Sequence, residues 1–254
     1  MVEASPKPFI EVRNLRQQFG SQEILRGVNL TVFKGETLVL LGRSGGGKSV
    51  FLRHLIGLIK PVSGEIFVDG EEITHLNERQ LEPIRIKVGM LFQDGALFDS
   101  MDVYDNVAFP LREHGQTDEK KIQDDVMHAL ELVNMLGHET KMPVNLSGGM
   151  RKRVALARAI INHPACILYD EPTAGLDPIV SDSINRLIRR LQRQLHMTSI
   201  VVTHDMTSTY HIADRVALLH EGKERFYGTL DDLKNSTDTV VQDFVLGRSY
   251  DKAE

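Results

Sequence analysis

Three absences narrow the classes of protein to which this sequence can belong. It has one cysteine, Cys166, so an intramolecular disulfide is impossible. No segment approaches the roughly 18 consecutive apolar residues that a membrane-spanning helix needs. It also lacks a basic surplus, because its net charge at pH 7 is −5, and this argues against binding to nucleic acid through a general positive field. Any work at a membrane would need partners that span the bilayer.

The composition and length are those of an ordinary globular protein. The 254 residues are 41% hydrophobic and 26% charged. A chain of this length can form one sizeable core, or one core with an inserted subdomain. Cys166 lies inside an apolar run, so we expect a small buried hydrophobic side chain rather than a reactive thiol. The N-terminal residues contain no apolar core of the kind found in signal peptides.

The most informative motif is a glycine-rich loop that ends in lysine and serine. It fits the pattern G-x-x-x-x-G-K-[ST] and stands between a strand-like run, Thr37 to Leu41, and a helix-like run, Val50 to Leu58, which is the setting of a phosphate-binding loop. Glycines let backbone amides line an anion site, and the helix start adds its positive dipole end. Lys48 would contact the β- and γ-phosphates, and Ser49 would ligate Mg²⁺. The loop comprises Gly42, Arg43, Ser44, Gly45, Gly46, Gly47, Lys48 and Ser49.

Hydrophobic patterning around this loop predicts an α/β fold. Buried strands are expected at Ala165 to Tyr169 and at Thr198 to Val202, because both runs are apolar and rich in β-branched residues. An apolar stripe in Lys120 to Val133 indicates a helix. We therefore expect one domain at 8–230, with a core at about 8–93 and 164–228, a helical insertion at about 94–163 and a tail at 229–254. The other predicted strands are Phe9 to Val12, Asn29 to Val32, Glu65 to Val68 and Lys87 to Phe92, with a closing hairpin across Glu221 to Lys223.

A phosphate loop alone does not distinguish a kinase, a GTPase or an ATPase, but further motifs do. Leu146 to Met150 reads LSGGM, Asp170 and Glu171 end a strand, Ala174 to Asp177 follows, and His204 ends the next strand. In this order and spacing, over roughly residues 8–230, the chain resembles the ATP-binding cassette family, the nucleotide-binding subunits of ABC transporters. The resemblance implies a RecA-like ATPase core with an antiparallel β subdomain and an inserted helical subdomain. It also implies ATP and Mg²⁺ as cofactors.

Two adjacent carboxylates are the chemical candidates at the end of the first buried strand. Asp170 is suited to hold Mg²⁺, directly or through water. Glu171 is the candidate general base that polarises the attacking water, and a surface ion pair is the alternative. The resemblance implies that Gln93 contacts the metal and the water, that His204 contacts the γ-phosphate and that Phe19 stacks on adenine. His204 could instead be a structural histidine, and Phe19 could belong to the core. The remaining implied nucleotide contacts are Val50 and Asp177. Asp177 can also cap a helix that has Pro178 at its first position.

Ser147 suggests that the active enzyme is a dimer. It can cap a helix that starts at Gly148, and with Gly149 and the first helical amides it would form a second anion site. One chain cannot easily bring this site to its own phosphate loop if the two lie in different subdomains. The resemblance implies that it binds the γ-phosphate held by the opposite protomer, in a two-fold dimer that encloses two ATP molecules.

Departures from the commonest family pattern indicate a branch. Met150 stands where glutamine is commoner, Ala174-Gly175 replaces Ser-Ala, and Phe19 replaces tyrosine. Together with Leu91 to Phe98, these features resemble the ATPase of Mla/Mce-type phospholipid transporters. That resemblance implies a second copy of the chain and separate transmembrane permease subunits, with room for small regulatory and periplasmic lipid-binding subunits. It also implies a peripheral position on the cytoplasmic face of a bacterial inner membrane. The apolar residues Gly95 to Phe98 would receive a short helix of the permease.

Other functions within the family stay open. The cargo could be a lipoprotein or a small solute, or the ATPase could do mechanical or assembly work without transport. Nucleic acid is not an expected partner, because there is no long heptad insertion, no zinc-type cysteine spacing and no basic stripe. The tail from residue 229 could be a dimer-stabilising extension or a frayed end.

Overall fold

The structure is a computed structural model that describes residues 7–248. It divides into two compact units, one that runs to Glu82 and resumes at Ile200, and one that comprises Pro83–Ser199. Residues 1–6 and 249–254 lie outside the described residues, and the second of these segments is the end of the predicted tail.

The described residues form ten strands and nine α-helices. The strands are β1 (Pro8–Phe19), β2 (Gln22–Phe33), β3 (Thr37–Leu41), β4 (Ser63–Val68), β5 (Glu71–Glu72), β6 (Val88–Leu91), β7 (Cys166–Asp170), β8 (Thr198–Thr203), β9 (Arg215–His220) and β10 (Lys223–Gly228). The helices are α1 (Lys48–Leu55), α2 (Glu78–Lys87), α3 (Val103–Glu113), α4 (Glu119–Leu132), α5 (Gly148–Ile160), α6 (Pro178–Leu195), α7 (Met206–Ile212), α8 (Leu230–Lys234) and α9 (Thr239–Val245).

The first unit contains an antiparallel sheet in the order β2-β1-β4-β5. β1 and β2 form a long hairpin that pairs Ile10 with Val32 near its base and Phe19 with Gln22 at its tip. Apolar residues of β1 such as Ile10 and Leu15 are fully buried, whereas Arg13, Asn14 and Arg16 are exposed. This alternation is what a sheet with one covered face requires.

The first unit also holds the strands that carry the phosphate loop. They lie in the order β10-β9-β3, followed by the last four residues of β8. β3 runs parallel to β9, with Val39 opposite Val216, and every residue of β3 is buried. A strand buried in this way places its carboxyl end, and so the following loop, at a defined edge of the sheet.

The second unit combines two parallel strands with a group of helices. β6 pairs with β7 from Val88 opposite Cys166 to Leu91 opposite Tyr169, and all five residues of β7 are buried. The helices α3, α4 and α5 pack on one another. The predicted stripe of α4 faces inward, and it consists of Ile122, Val126, Ala129, Leu130 and Val133.

The structure corrects several predicted boundaries. The hairpin β1–β2 is much longer than the two short strands that were predicted, because its polar residues lie on the exposed face and hide the strand pattern. α1 ends at Leu55 rather than Leu58, since Gly57 adopts a φ of 65° and breaks the helical path. α2 was not predicted. The tail is not frayed between residues 229 and 248, because it contains α8, which has a capping box at Thr229, and α9.

Candidate functional site

The predicted phosphate loop joins β3 to α1 in the first unit. Its last glycine, Gly47, precedes α1 with a φ of 93°. A Cβ atom at this position would lie 3.0 Å from Cγ2 of Ile24, so the position needs glycine for both its conformation and its space. Gly47 has no side chain that could cap the helix. The start of α1 therefore keeps the amides and the dipole that attract an anion.

Lys48 folds over this loop. Its Nζ donates hydrogen bonds to the carbonyl oxygens of Gly42 at 2.8 Å and Arg43 at 3.0 Å, and the side chain is buried. The amide of Gly46 donates to the Arg43 carbonyl at 3.0 Å and closes a turn. The loop thus presents one buried ammonium among backbone groups, a donor set that fits a polyphosphate. The Arg43 side chain is exposed.

The outer side of the loop borders open space. Ser44 and Gly45 are exposed, and Ser49 and Val50 are half-buried. A cavity of about 380 Å³ is lined by two loop glycines and by residues of β2 and the β9–β10 turn, namely Gly45, Gly46, Gln22, Glu23, Ile24, Arg26, Glu221 and Gly222. This volume is within the usual range for small-molecule sites.

Two further candidates of the first unit lie at strand ends. Phe19 is the last residue of β1 and is 49% exposed, so the alternative that it belongs to the core is wrong. His204 directly follows β8 and is exposed. The next residue, Asp205, caps α7 by accepting from the amides of Thr207 and Ser208. Burial opposes ionisation of Asp205, but hydrogen bonds from Ser208 and Thr207 and the nearby His204 lower its pKa.

The predicted carboxylates lie at the end of β7 in the second unit. Asp170 is its last residue and is 4% exposed. Glu171 follows with a φ of 47° and is also almost fully buried. A residue with a side chain seldom adopts this left-handed conformation, which costs about 1–3 kcal/mol and is concentrated at functional sites. The amide of Ala174 donates to the Glu171 carbonyl at 3.1 Å and helps to hold the turn.

The LSGGM segment forms the predicted helix start. Ser147 is the N-cap of α5, and its Oγ accepts from the Met150 amide at 3.3 Å. A Cβ atom on Gly149 would lie only 2.6 Å from Cγ1 of Val180, so a larger residue in this first turn of α5 would force Val180 to move. Asp177 caps α6 and accepts from the amides of Ile179 and Val180 at 3.0 Å. The two caps that the sequence predicts are therefore confirmed.

Gln93 begins a loop that α3 and α5 hold in place and in which Ala96 and Phe98 are exposed, Leu97 is half-buried and Gly95 is buried. Its carbonyl oxygen accepts from Nζ of Lys152. Asn106, which is completely buried, accepts from the Phe98 amide at 2.8 Å and donates to the carbonyl oxygens of Phe98 and Met101. Phe98 is 41% exposed. The loop thus displays an aromatic side chain while its backbone is fixed from beneath.

Sequence reasoning missed three side chains that build this loop. Besides Asn106 and Lys152, Arg158 donates to the Gly95 carbonyl at 2.8 Å and lies 5.6 Å from the centre of the Phe98 ring. Burial lowers the pKa of Arg158. The only sequence signal was a set of polar residues at inward positions of apolar helices, which indicates buried hydrogen bonds without naming their partners.

Within residues 7–248, no group of three histidine, cysteine or acidic side chains could hold a metal ion. Within the same residues, no helix has the length and apolarity needed to cross a bilayer.

Comparison with known proteins adds a second line of evidence. Residues 25–174 match the family described as ABC transporter. The probable ribonucleotide transport ATP-binding protein mkl of Mycobacterium tuberculosis is 46% identical over 94% of this chain and 67% of its own length. The intermembrane phospholipid transport system ATP-binding protein MlaF of Haemophilus influenzae is 43% identical over 95% of this chain and 91% of its own length. Among solved structures, a dimer of the ATP-binding cassette MJ0796 bound to ADP and phosphate has a TM-score of 0.80 and 30% identity, covering 87% of this chain and 98% of that one.

Proposed function

The chain belongs to the ABC transporter family, and from that premise we propose that it is the ATP-hydrolysing subunit of a transporter that moves phospholipids. ATP hydrolysis coupled to transport follows from the family. The phospholipid cargo is supported by the MlaF relative, which aligns over 91% of its own length. The observation that best supports ATP binding and hydrolysis is the buried Lys48 ammonium, which folds over the glycine loop at the start of α1.

The proposed roles follow the chemistry of each group. Lys48 and the loop amides bind the phosphates, since they supply positive charge and hydrogen-bond donors. Ser49, Asp170 and Gln93 provide oxygen ligands for Mg²⁺, which usually takes one or two carboxylates beside phosphate oxygens and water. Glu171 accepts the proton of the attacking water. The remaining contacts are Phe19 with adenine, His204 with the γ-phosphate, and Gly42, Arg43, Ser44, Gly45, Gly46, Gly47, Val50 and Asp177 around the nucleotide.

The proposed enzyme is a dimer in which each ATP meets both chains. Ser147 and Gly149 of one protomer contact the γ-phosphate bound by the loop of the other. The dimeric state of the cassette MJ0796 supports this arrangement. Bound ATP joins the protomers, and hydrolysis releases them, so the cycle is a two-state switch that can move attached subunits.

The switch is proposed to act on separate membrane-spanning subunits at the cytoplasmic face of a bacterial inner membrane. The Gly95 to Phe98 loop is the proposed contact, because Phe98 is exposed while Asn106 and Arg158 hold the backbone beneath it. Further regulatory and periplasmic lipid-binding subunits belong to this proposal.

The chemical role of Glu171 is tested by the Glu171→Gln variant. This change keeps the shape and removes the base, so we expect steady-state ATPase activity to fall by about a hundredfold to ten-thousandfold while ATP affinity stays near that of the parent. The variant should also accumulate as an ATP-bound dimer. A rate within about threefold of the parent would remove Glu171 from this role.

The shared site is tested by cross-linking. Cysteines placed at Ser44 and Ser147 in a Cys166→Ala background should form a disulfide between protomers when ATP is present. Cysteines at Ser44 and Lys121, an exposed residue of α4, provide a matched control that should not cross-link. Cross-links confined to single chains would contradict the dimer.

A second candidate cargo is a small solute, and one observation favours it. The relative mkl is more similar in sequence than MlaF and carries a ribonucleotide transport name. Purification of the chain from native membranes, followed by identification of co-purified proteins and lipids, separates the two cargoes. A permease with bound phospholipid supports the proposal, whereas a permease free of lipid that binds nucleotides or other solutes supports the alternative.

A further inference from the structure

Lys152 is a buried cation to which the proposed reaction assigns no role. It lies in the second turn of α5, and only 6% of its surface is exposed. Its Nζ donates to the carbonyl oxygen of Gln93 and, at 3.4 Å, to the carbonyl oxygen of Glu171. These partners are 59 and 19 residues away along the chain. One ammonium group therefore joins the loop that begins at Gln93 to the residue that follows β7.

Burial of the Lys152 ammonium is electrostatically unfavourable, and nearby carboxylates offset part of this cost. Burial lowers the pKa of the ammonium, and the nearby carboxylates of Asp94, Asp170 and Glu171 act in the opposite direction. A buried ammonium without such partners would be strongly unfavourable. Methionine has a similar length and would fill the same space at lower electrostatic cost. The hydrogen-bond donors of Lys152, rather than its volume, are therefore what distinguish it.

The hydrogen bond from Lys152 reaches the carbonyl group of a residue with an unusual backbone conformation. Glu171 has a φ of 47°, and a residue stays in this conformation only when its surroundings hold it there. Its carbonyl oxygen accepts from the amide of Ala174 at 3.1 Å and, at 3.4 Å, from Nζ of Lys152. Cα of Glu171 is bonded both to this carbonyl carbon and to the side chain, so a displacement of the carbonyl group moves Cα and the carboxylate with it. The Lys152 bond therefore contributes to the placement of the carboxylate.

We propose that Lys152 is a positioning residue that fixes the backbones of Gln93 and Glu171 to the helix whose N-cap is Ser147. Loss of its donors leaves nucleotide binding intact but lets the Glu171 carboxylate move away from the direction that catalysis needs. A displacement of about 1 Å in a catalytic group is enough to reduce turnover about a hundredfold. This inference rests on the proposed role of Glu171 as general base.

The experiment compares Lys152→Met with Lys121→Met, which removes an exposed lysine from α4 of the same unit. ATPase kinetics of the full-length chain are measured for the parent, both variants, Glu171→Gln and the double variant Lys152→Met with Glu171→Gln. We expect Lys152→Met to lower kcat at least about tenfold with KM for ATP within about threefold of the parent, and Lys121→Met to leave both unchanged. In the Glu171→Gln background, the same substitution should change the rate less than about twofold, because residues that act as one unit are not additive.

The outcomes separate this inference from the proposed base. If Glu171→Gln is slow and Lys152→Met keeps the parental kcat, the positioning role is wrong and the base stands. If Lys152→Met slows both backgrounds equally, its effect does not pass through Glu171 and the inference also fails. If Glu171→Gln keeps the parental rate, the base is wrong and the inference falls with it. Should Lys152→Met not fold, Lys152→Arg, which keeps charge and donors but displaces them, must lower kcat at least about fivefold with little change in KM; a parental kcat in that variant overturns the inference.

Discussion

Asn106 offers the sharpest test of how the Gly95 to Phe98 loop is built. Its side chain is completely buried: Oδ1 accepts from the Phe98 amide and lies 3.5 Å from Nη1 of Arg158, and Nδ2 shares its two hydrogens among the carbonyl oxygens of Phe98, Met101 and Asp102. Two of these carbonyls keep backbone donors in an Asn106→Ala variant, since the Met101 amide donates to Phe98 and the amide of residue 106 donates to Asp102. The loss therefore falls mainly on the Phe98 amide and the Met101 carbonyl.

The magnitude follows from these two groups. Each buried group that loses its partner costs about 1–3 kcal/mol, so the two groups together should lower the free energy of unfolding of Asn106→Ala by about 2–6 kcal/mol. In a chain of this size each kcal/mol corresponds to about 2–4 °C, so the melting temperature should fall by roughly 4–24 °C. The assay is thermal unfolding, with hydrogen exchange of the Phe98 amide as a local measure. The matched control is Asn162→Ala, a half-buried asparagine whose side chain bonds near the surface to His114, which should change stability by less than about 0.5 kcal/mol.

Asn106→Asp refines the test, because it keeps the shape and the acceptor for Phe98 but faces the carbonyl oxygens with a carboxyl group. A carboxyl group can donate at most one hydrogen bond to these carbonyl oxygens, while its acceptor oxygen keeps the Phe98 amide and the nearby Nη1 of Arg158, which lies 3.5 Å from Oδ1 of Asn106. We therefore expect the free energy of unfolding of Asn106→Asp to lie between those of the parent and Asn106→Ala. If Asn106→Ala and Asn106→Asp both unfold within about 0.5 kcal/mol of the parent, the loop does not depend on Asn106 and the reasoning is refuted.

Three further predictions concern nucleotide binding, partner docking and helix packing. Lys48→Ala should weaken ATP binding and abolish hydrolysis because it removes the buried ammonium of the loop, whereas Arg43→Ala should keep most affinity because that side chain is exposed; equal losses in a nucleotide titration would show that Arg43 is misassigned. Leu97→Asp should leave ATP binding unchanged but prevent co-purification with membrane subunits, since an unpaired charge buried in an interface costs several kcal/mol; stable assembly of an active complex would place the docking site elsewhere. Gly149→Ala should destabilise the chain by about 1–3 kcal/mol through overpacking against Val180, and the added Val180→Ala change should recover part of that loss in thermal unfolding; no recovery in the double variant would show that the clash is not the cause.

The features that local patterns specify are the ones that the sequence predicted well. Ser147 and Asp177 act as helix caps because capping depends on residues two or three positions away. The phosphate loop depends in the same way on adjacent glycines and the following helix. Strands β7 and β8 were recognisable because they are buried along their whole length.

The features that the sequence did not predict depend on contacts between distant segments. Lys152 reaches a carbonyl 59 residues away, and Arg158 reaches one 63 residues away. Glycine at position 149 is favoured by the close approach of Val180, which lies on another helix. Side chains that bond to backbone carbonyls leave no residue-type pattern at the acceptor, because every residue has a carbonyl group. This is why the structure was needed to find the residues that position Gln93 and Glu171.

Cys166 can be used to measure local unfolding within the second unit. It is the first residue of β7, is completely inaccessible to solvent, and has a thiol whose pKa burial raises far above its usual range. The thiolate that maleimides attack is therefore absent while the second unit remains closed. Probes attached to newly introduced surface cysteines should label cleanly even with Cys166 retained. The slow modification of Cys166 itself would then measure how often β7, the strand that ends at Asp170, unfolds locally and exposes the thiol. A comparison of this rate with and without ATP would show how much bound nucleotide stabilises β7.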